Sequence, residues 1–145
     1  MGKLKEDQKP VITIRVKLKT SVEKVWECFI EPEHIKQWNN ATEDWHTPYA
    51  ENNLIIGGRF LSRMEVKDGS FGFDFSGVYN DVKQYKSIVY TIDDGRKVTV
   101  TFRSLGSETE VIEAFEAEDT NSIELQRSGW QSILDNFARY TEQTM

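Results

Sequence analysis

Apolar and polar residues alternate first at Val11–Leu18, where Ile12, Ile14, Val16 and Leu18 face away from Thr13, Arg15 and Lys17. That period of two predicts a half-buried strand. The period then changes. Val22, Val25, Trp26 and Phe29 recur at i, i+3, i+4 and i+7, the spacing of a short amphipathic helix. Thr20 and Glu23 are spaced as a capping box at its start, and Pro32 stops it. A second short helix is expected over 33–37, with Pro32 in its first turn and Trp38 ending it. Residues 39–53 show no clean period and read as a weak strand or an irregular loop.

Alternation returns at 59–66, with Phe60, Ser62, Met64 and Val66 on one face. Lys67–Ser70 makes a hairpin turn, and 71–82 is the return strand, with Phe71, Phe73, Phe75, Gly77 and Tyr79 on a common face. Strands follow at 87–92, 97–104 (Val98, Val100 and Phe102 on one face) and 109–117 (Val111, Glu113 and Phe115), separated by Asp93-Asp94-Gly95 and by a turn at 105–108. The last 25 residues return to the helical period. On a wheel centred on Trp130, Ile123, Ile133, Leu134, Phe137 and Thr141 gather on one side, while Gln126 and Arg127 interrupt the stripe. Residues 119–121 supply cap candidates, and some 22 residues make a rod of about 33 Å. Gly129 inside it implies either a close backbone approach or a kink. A meander of antiparallel strands wrapped on one terminal helix is an α+β, two-layer arrangement, and its middle is a place for a hollow.

Composition changes this picture little. The 145 residues suit one domain, with residues 1–10 as a flexible polar tail and 11–145 as the folded unit. Eight Phe, five Tyr and four Trp exceed the needs of an ordinary small core, so the excess either packs or lines a cavity. The net charge of −6 argues against nucleic acid as a partner. The basic excess of residues 1–24 reads as a tail plus a solvated strand face. No signal-like or spanning segment is present, which predicts a cytoplasmic protein without membrane insertion. Cys28 is the only cysteine, so no intrachain disulfide forms. With His34 and His46 it has no ligand-like spacing, so no metal is expected. No phosphate loop or nucleophile elbow occurs, and no cofactor or catalytic residue is assigned.

Several stretches also resemble one family. They are Val25-Trp26-Glu27-Cys28-Phe29, Pro32-Glu33-His34-Ile35-Lys36-Gln37-Trp38, Gly57-Gly58-Arg59-Phe60, Phe75-Ser76-Gly77-Val78-Tyr79, the 109–116 strand and Gln126-Arg127-Ser128-Gly129-Trp130 onward to Asn136. In this order, over about residues 11–143, they resemble the activator of heat-shock-chaperone ATPase homologue family of the START-like (SRPBCC) superfamily. The resemblance implies a helix-grip fold, as in the birch-pollen allergen: seven curved antiparallel strands on a long C-terminal helix, enclosing a cavity, with two short helices after the first strand. It therefore implies a strand near 43–50 and a firm one at 87–92. The superfamily includes lipid and sterol carriers, hormone receptors and polyketide cyclases, so the resemblance leaves function open.

The expected function is a cytosolic domain, monomeric or weakly dimeric, that binds a small hydrophobic or amphipathic ligand such as a lipid. The expected lining is Trp38, Trp45, Phe60, Met64, Phe73, Phe75, Tyr79, Phe102, Glu113, Phe115, Trp130, Leu134 and Phe137. Glu113 is the polar member. If its face points inward, it either pairs with an Arg, a Tyr or a backbone amide, or titrates high and meets a ligand. The alternatives are a stress-response module that contacts a heat-shock chaperone and a cyclase- or hydrolase-like enzyme using Glu113.

Overall fold

The alternating segments become seven strands of one antiparallel sheet in the computed structural model, which describes residues 9–144. In chain order the elements are β1 (Val11–Leu18), α1 (Val22–Ile30), α2 (Pro32–Trp38), β2 (Trp45–Asn52), β3 (Arg59–Val66), β4 (Gly72–Lys83), β5 (Ser87–Ile92), β6 (Lys97–Ser104), β7 (Thr109–Glu116) and α3 (Ile123–Gln143). The sheet order is β1-β7-β6-β5-β4-β3-β2. This is the helix-grip arrangement that the resemblance implied. Residues 1–8 of the expected tail lie outside the described residues. Pro10 is already tied down, because its carbonyl accepts from the Ala117 N–H at 2.8 Å.

The strand that periodicity only half showed is β2. Pro48 lies within it, and its pairing with β3 slips between His46 and Tyr49. Proline has no N–H for the ladder and is tolerated here because β2 is an edge strand. At the other edge, β1 is covered by α3. Arg127 donates to the Thr13 carbonyl (3.0 Å) and Gln131 to the Arg15 carbonyl (3.2 Å). Side chains from the helix thus satisfy backbone groups that an open edge would present to another chain.

Both helix starts are shifted from the expected caps. Ser21, not Thr20, caps α1, accepting from the Lys24 N–H at 3.4 Å. The Thr20 carbonyl is engaged elsewhere, by the Thr109 hydroxyl at 2.9 Å. Ser122 caps α3, accepting from the Leu125 N–H at 3.1 Å. Gln126, which broke the apolar stripe, is buried and fully used. Its carbonyl accepts from the Glu118 N–H, and its amide donates to the Glu118 and Asn121 carbonyls. It therefore fixes the turn that brings α3 back over the sheet. Leu134, Phe137, Ala138 and Thr141 form the deep face of α3, while Ile123 stays largely exposed in its first turn.

Gly129 does not have the close approach its position suggested. A Cβ built there meets nothing within 4 Å. Nothing in the structure explains this glycine. Gly129→Ala is expected to stabilise the protein by about 0.5–1 kcal/mol through helix propensity and a less flexible unfolded chain. Urea unfolding of the two forms checks this, and a loss of stability would contradict it.

Candidate functional site

Two rows of inward side chains fail to meet over the middle of the sheet. Beneath α1 and the end of α3 the core is closed. Phe137 is fully buried, edge-on to Phe29 (5.3 Å between centroids) and to Trp38 (4.9 Å), and Phe102 lies edge-on to Trp26 (5.1 Å). Further along α3, Trp130 stacks flat on Phe115 at 3.9 Å. Between these blocks a hollow of about 260 Å³ opens between sheet and helix. Its walls come from every layer: Phe29 of α1, Trp38 and Asn39 at the end of α2, Phe60, Ser62 and Met64 of β3, Phe73 and Phe75 of β4, Tyr90 of β5, Arg96, Glu113 of β7, and Trp130 and Ile133 of α3.

Local bonds hold these walls. The Trp38 indole donates to the Cys28 carbonyl at 2.8 Å, which fixes the ring against α1. Asn136 donates to the Trp38 carbonyl at 2.9 Å and ties α3 to the end of α2. Asn52 donates to the Ile30 carbonyl at 2.7 Å, which anchors β2 to the end of α1. Phe60 sits among Phe75 (5.7 Å), Tyr79 (5.4 Å) and Tyr90 (4.9 Å). It lies over Gly77, where an added Cβ would come within 3.0 Å of its ring. A glycine inside a strand here makes room for an aromatic floor.

Of the thirteen expected lining residues, Trp38, Phe60, Met64, Phe73, Phe75, Glu113 and Trp130 border the hollow. The other six lie elsewhere. Phe115 is behind Trp130, and Phe102, Leu134 and Phe137 are in the closed core. Tyr79 is behind Phe60, its hydroxyl bonded to Asn52 at 2.5 Å. Trp45 lies outside, edge-on to Phe71 (5.9 Å) and Phe73 (6.1 Å). Phe71 precedes β4 and is 61% exposed, so it leaves the inward row it was expected to share.

Sequence reasoning passed over Phe29, Asn39, Ser62, Tyr90, Arg96 and Ile133. Ser62 and Tyr90 carried a signal, since each alternates with apolar inward residues of its strand. Asn39 and Arg96 lie between elements, where no period aims a side chain.

Glu113 does point inward, between Ile14 of β1 and Val100 of β6 in the ladder. No side chain or amide among the described residues pairs with it. Burial alone pushes its carboxyl up to about 8 from 4.5. Tyr90 is likewise held well above its usual range, first by burial and then by the neighbouring Glu113. Arg96 is turned toward Asp94, its Nε 2.9 Å from a carboxylate oxygen. At neutral pH the hollow thus holds an uncharged acid, an uncharged phenol and a guanidinium already paired.

A second depression, about 350 Å³, lies between α1, α2 and the end of α3, lined by Ser21, Glu23, Lys24, Glu27, Cys28, His34 and Thr144. It is the larger in volume, but exposed polar groups such as Glu23 and Glu27 form much of its wall. The aromatic hollow is the better-built site. Among the described residues no group of three or more His, Cys, Asp or Glu is placed to hold a metal. No helix there is long and apolar enough to cross a membrane.

Comparison with known proteins places this geometry. Residues 19–142 match the family described as Activator of Hsp90 ATPase homolog 1-like protein. The solution NMR structure of the AHSA1-like protein from Aeromonas hydrophila is 41% identical, with a TM-score of 0.84 over 90% of this chain and 92% of that one. A solution structure from Cytophaga hutchinsonii is 50% identical, with a TM-score of 0.79 over 90% and 91% of the two chains. A crystal structure from Chromobacterium violaceum, 22% identical with a TM-score of 0.82 over 92% and 98%, shares the fold. No curated protein matches the sequence.

Proposed function

The chain belongs to the Activator of Hsp90 ATPase homolog 1-like family, and from that premise we propose that it is a binding domain holding a small hydrophobic or amphipathic molecule between its sheet and its C-terminal helix. One observation carries this reading. The hollow has aromatic walls from helices and sheet, and within them stands a carboxyl group with no protein partner. A buried polar group normally finds a hydrogen bond. One left without, facing a hollow, is what a ligand would complete.

Size narrows the ligand. About 260 Å³ falls just under the range of roughly 300–1,000 Å³ usual for ligand pockets. A one- or two-ring compound fits such a space better than a sterol or a long acyl chain. The test is a screen of small aromatic compounds against the intact protein. A binder should raise the melting temperature and quench the fluorescence of Trp38 and Trp130, both in the wall. At a hundredfold excess over Kd the stabilisation should be about 2.7 kcal/mol. A broad set of compounds of this size that gives neither effect would count against the reading.

The family description supports a second reading, a module that contacts a heat-shock chaperone through its surface. ATPase assays of a bacterial Hsp90-type chaperone, with and without this protein, separate the two. An unchanged rate together with no co-purification would remove the second. Catalysis at Glu113 is the weakest reading, because no second group is paired with it for proton transfer.

A further inference from the structure

Polar side chains are set into the aromatic wall of the hollow. Glu113, Tyr90 and Ser62 stand on β7, β5 and β3, alternate strands of the sheet, and all three border the same space. Each is almost entirely buried as a residue, and what accessible surface remains borders the hollow, where no side chain among the described residues hydrogen-bonds their oxygens. The remaining polar groups at the lining are the guanidinium of Arg96, the indole of Trp130, the amide of Asn39 and the indole of Trp38, the last already donating to the Cys28 carbonyl.

These groups are mostly donors. An arginine and an indole can only donate, a phenol and a serine hydroxyl can each donate, and a carboxylic acid donates through its O–H. Resting on the ligand-binding reading above, we propose that the neighbouring Glu113 and Tyr90 recognise a neutral hydrogen-bond-accepting oxygen, of the ketone or amide class, on a small aromatic ligand, both acting as donors. The rings of Phe60, Phe75 and Trp130 take the aromatic body.

The charges around the hollow favour a neutral acceptor over its rivals. An anionic ligand would find the one guanidinium at the lining, Arg96, already engaged by Asp94. A cationic amine would suit an ionised Glu113 but would share the hollow with Arg96. Of the titratable or charged groups at the lining, only Glu113, Tyr90 and Arg96 are present. The faces offered by α1, α2, β3, β4 and α3 contribute none. Binding through a donated proton should therefore follow the protonation of Glu113 and weaken as pH rises through about 8.

Three matched probes test this on the intact protein: 2-acetylnaphthalene, 2-ethylnaphthalene and 2-naphthylmethylamine, titrated by tryptophan quenching at pH 6.5 and pH 9.0. The ketone should bind about fivefold tighter than the ethyl compound at pH 6.5, as one hydrogen bond allows. That advantage should shrink at pH 9.0 toward what Tyr90, still protonated there, supports alone. Glu113→Gln, which keeps a donor that does not titrate, should retain the preference at both pH values. Glu113→Leu should lower it to the same remainder at both pH values while still binding 2-ethylnaphthalene. Equal binding of ketone and ethyl compound by the parent at pH 6.5 overturns this inference and leaves the ligand-binding reading standing. So does an amine that binds tightest and gains affinity with pH. If none of the three binds, this inference falls, and the ligand-binding reading is decided by the broader screen.

Discussion

At pH 9, Glu113→Gln is expected to be more stable than the parent protein, and at pH 4 the two should be nearly equal. The native carboxyl is raised from 4.5 to about 8 by burial. Between those values the folded state keeps a proton that the unfolded chain releases. Native stability therefore falls as pH rises through the window, and the full penalty stays in place above it. A shift of this size corresponds to about 5 kcal/mol in the limit, and to less where water enters the hollow. Glutamine has nearly the same shape and never ionises, so its curve should lack this fall. Urea unfolding at intervals from pH 4 to 9 measures the difference. A parent protein that gains stability over the variant between pH 5 and 8 would mean that Glu113 is ionised and paired in the native state.

Gly77→Val is expected to cost about 3 kcal/mol or more, with Gly77→Ala smaller but of the same sign. A Cβ at this position lies 2.3 Å from the Thr91 carbonyl oxygen and 3.0 Å from two ring carbons of Phe60. Neither neighbour can easily give way. Thr91 is held in the ladder between Val78 of β4 and Lys97 of β6. Phe60 is enclosed by Phe75, Tyr79 and Tyr90. The damage should therefore appear as lost stability together with a changed near-ultraviolet signal from the rings around the hollow. An alanine variant as stable as the parent would show that the strand can move aside at no cost.

The elements that carried a full period were readable from the sequence. Ile12, Ile14 and Leu18 of β1, Phe60, Ser62 and Met64 of β3, and Val111, Glu113 and Phe115 of β7 all face the interior as their alternation requires. Readability failed where backbone geometry interrupts the period. Pro48 and a slipped register hid β2. Phe71 follows the right parity but precedes the strand, so its parity had no consequence. The site was legible in kind and less so in membership. Alternation tells which residues face inward, but not which inward residues meet a partner from α3. Phe115 and Phe75 share the inward side, yet Trp130 covers the first by stacking and leaves the second at the hollow. Arg96 had no signal, because a turn residue's direction is set by its own loop and here by Asp94.

The strand order also governs how the chain reaches this state. β1 is made first, yet its ladder partner is β7, with Leu18 opposite Thr109 and Val11 opposite Glu116. The hairpins β3–β4, β4–β5, β5–β6 and β6–β7 can close between near neighbours along the chain, but the first strand waits for the last. Closing so long a loop carries a large entropic cost before any contact offsets it, and topologies of this kind fold in roughly milliseconds to seconds. During synthesis, the apolar face of Ile12, Ile14 and Leu18 is exposed until β7 has been made. The Lys and Arg residues that alternate with it, Arg15, Lys17 and Lys19, then have a use that the finished fold conceals. They keep a hydrophobic strand without its partner from joining another chain in the meantime.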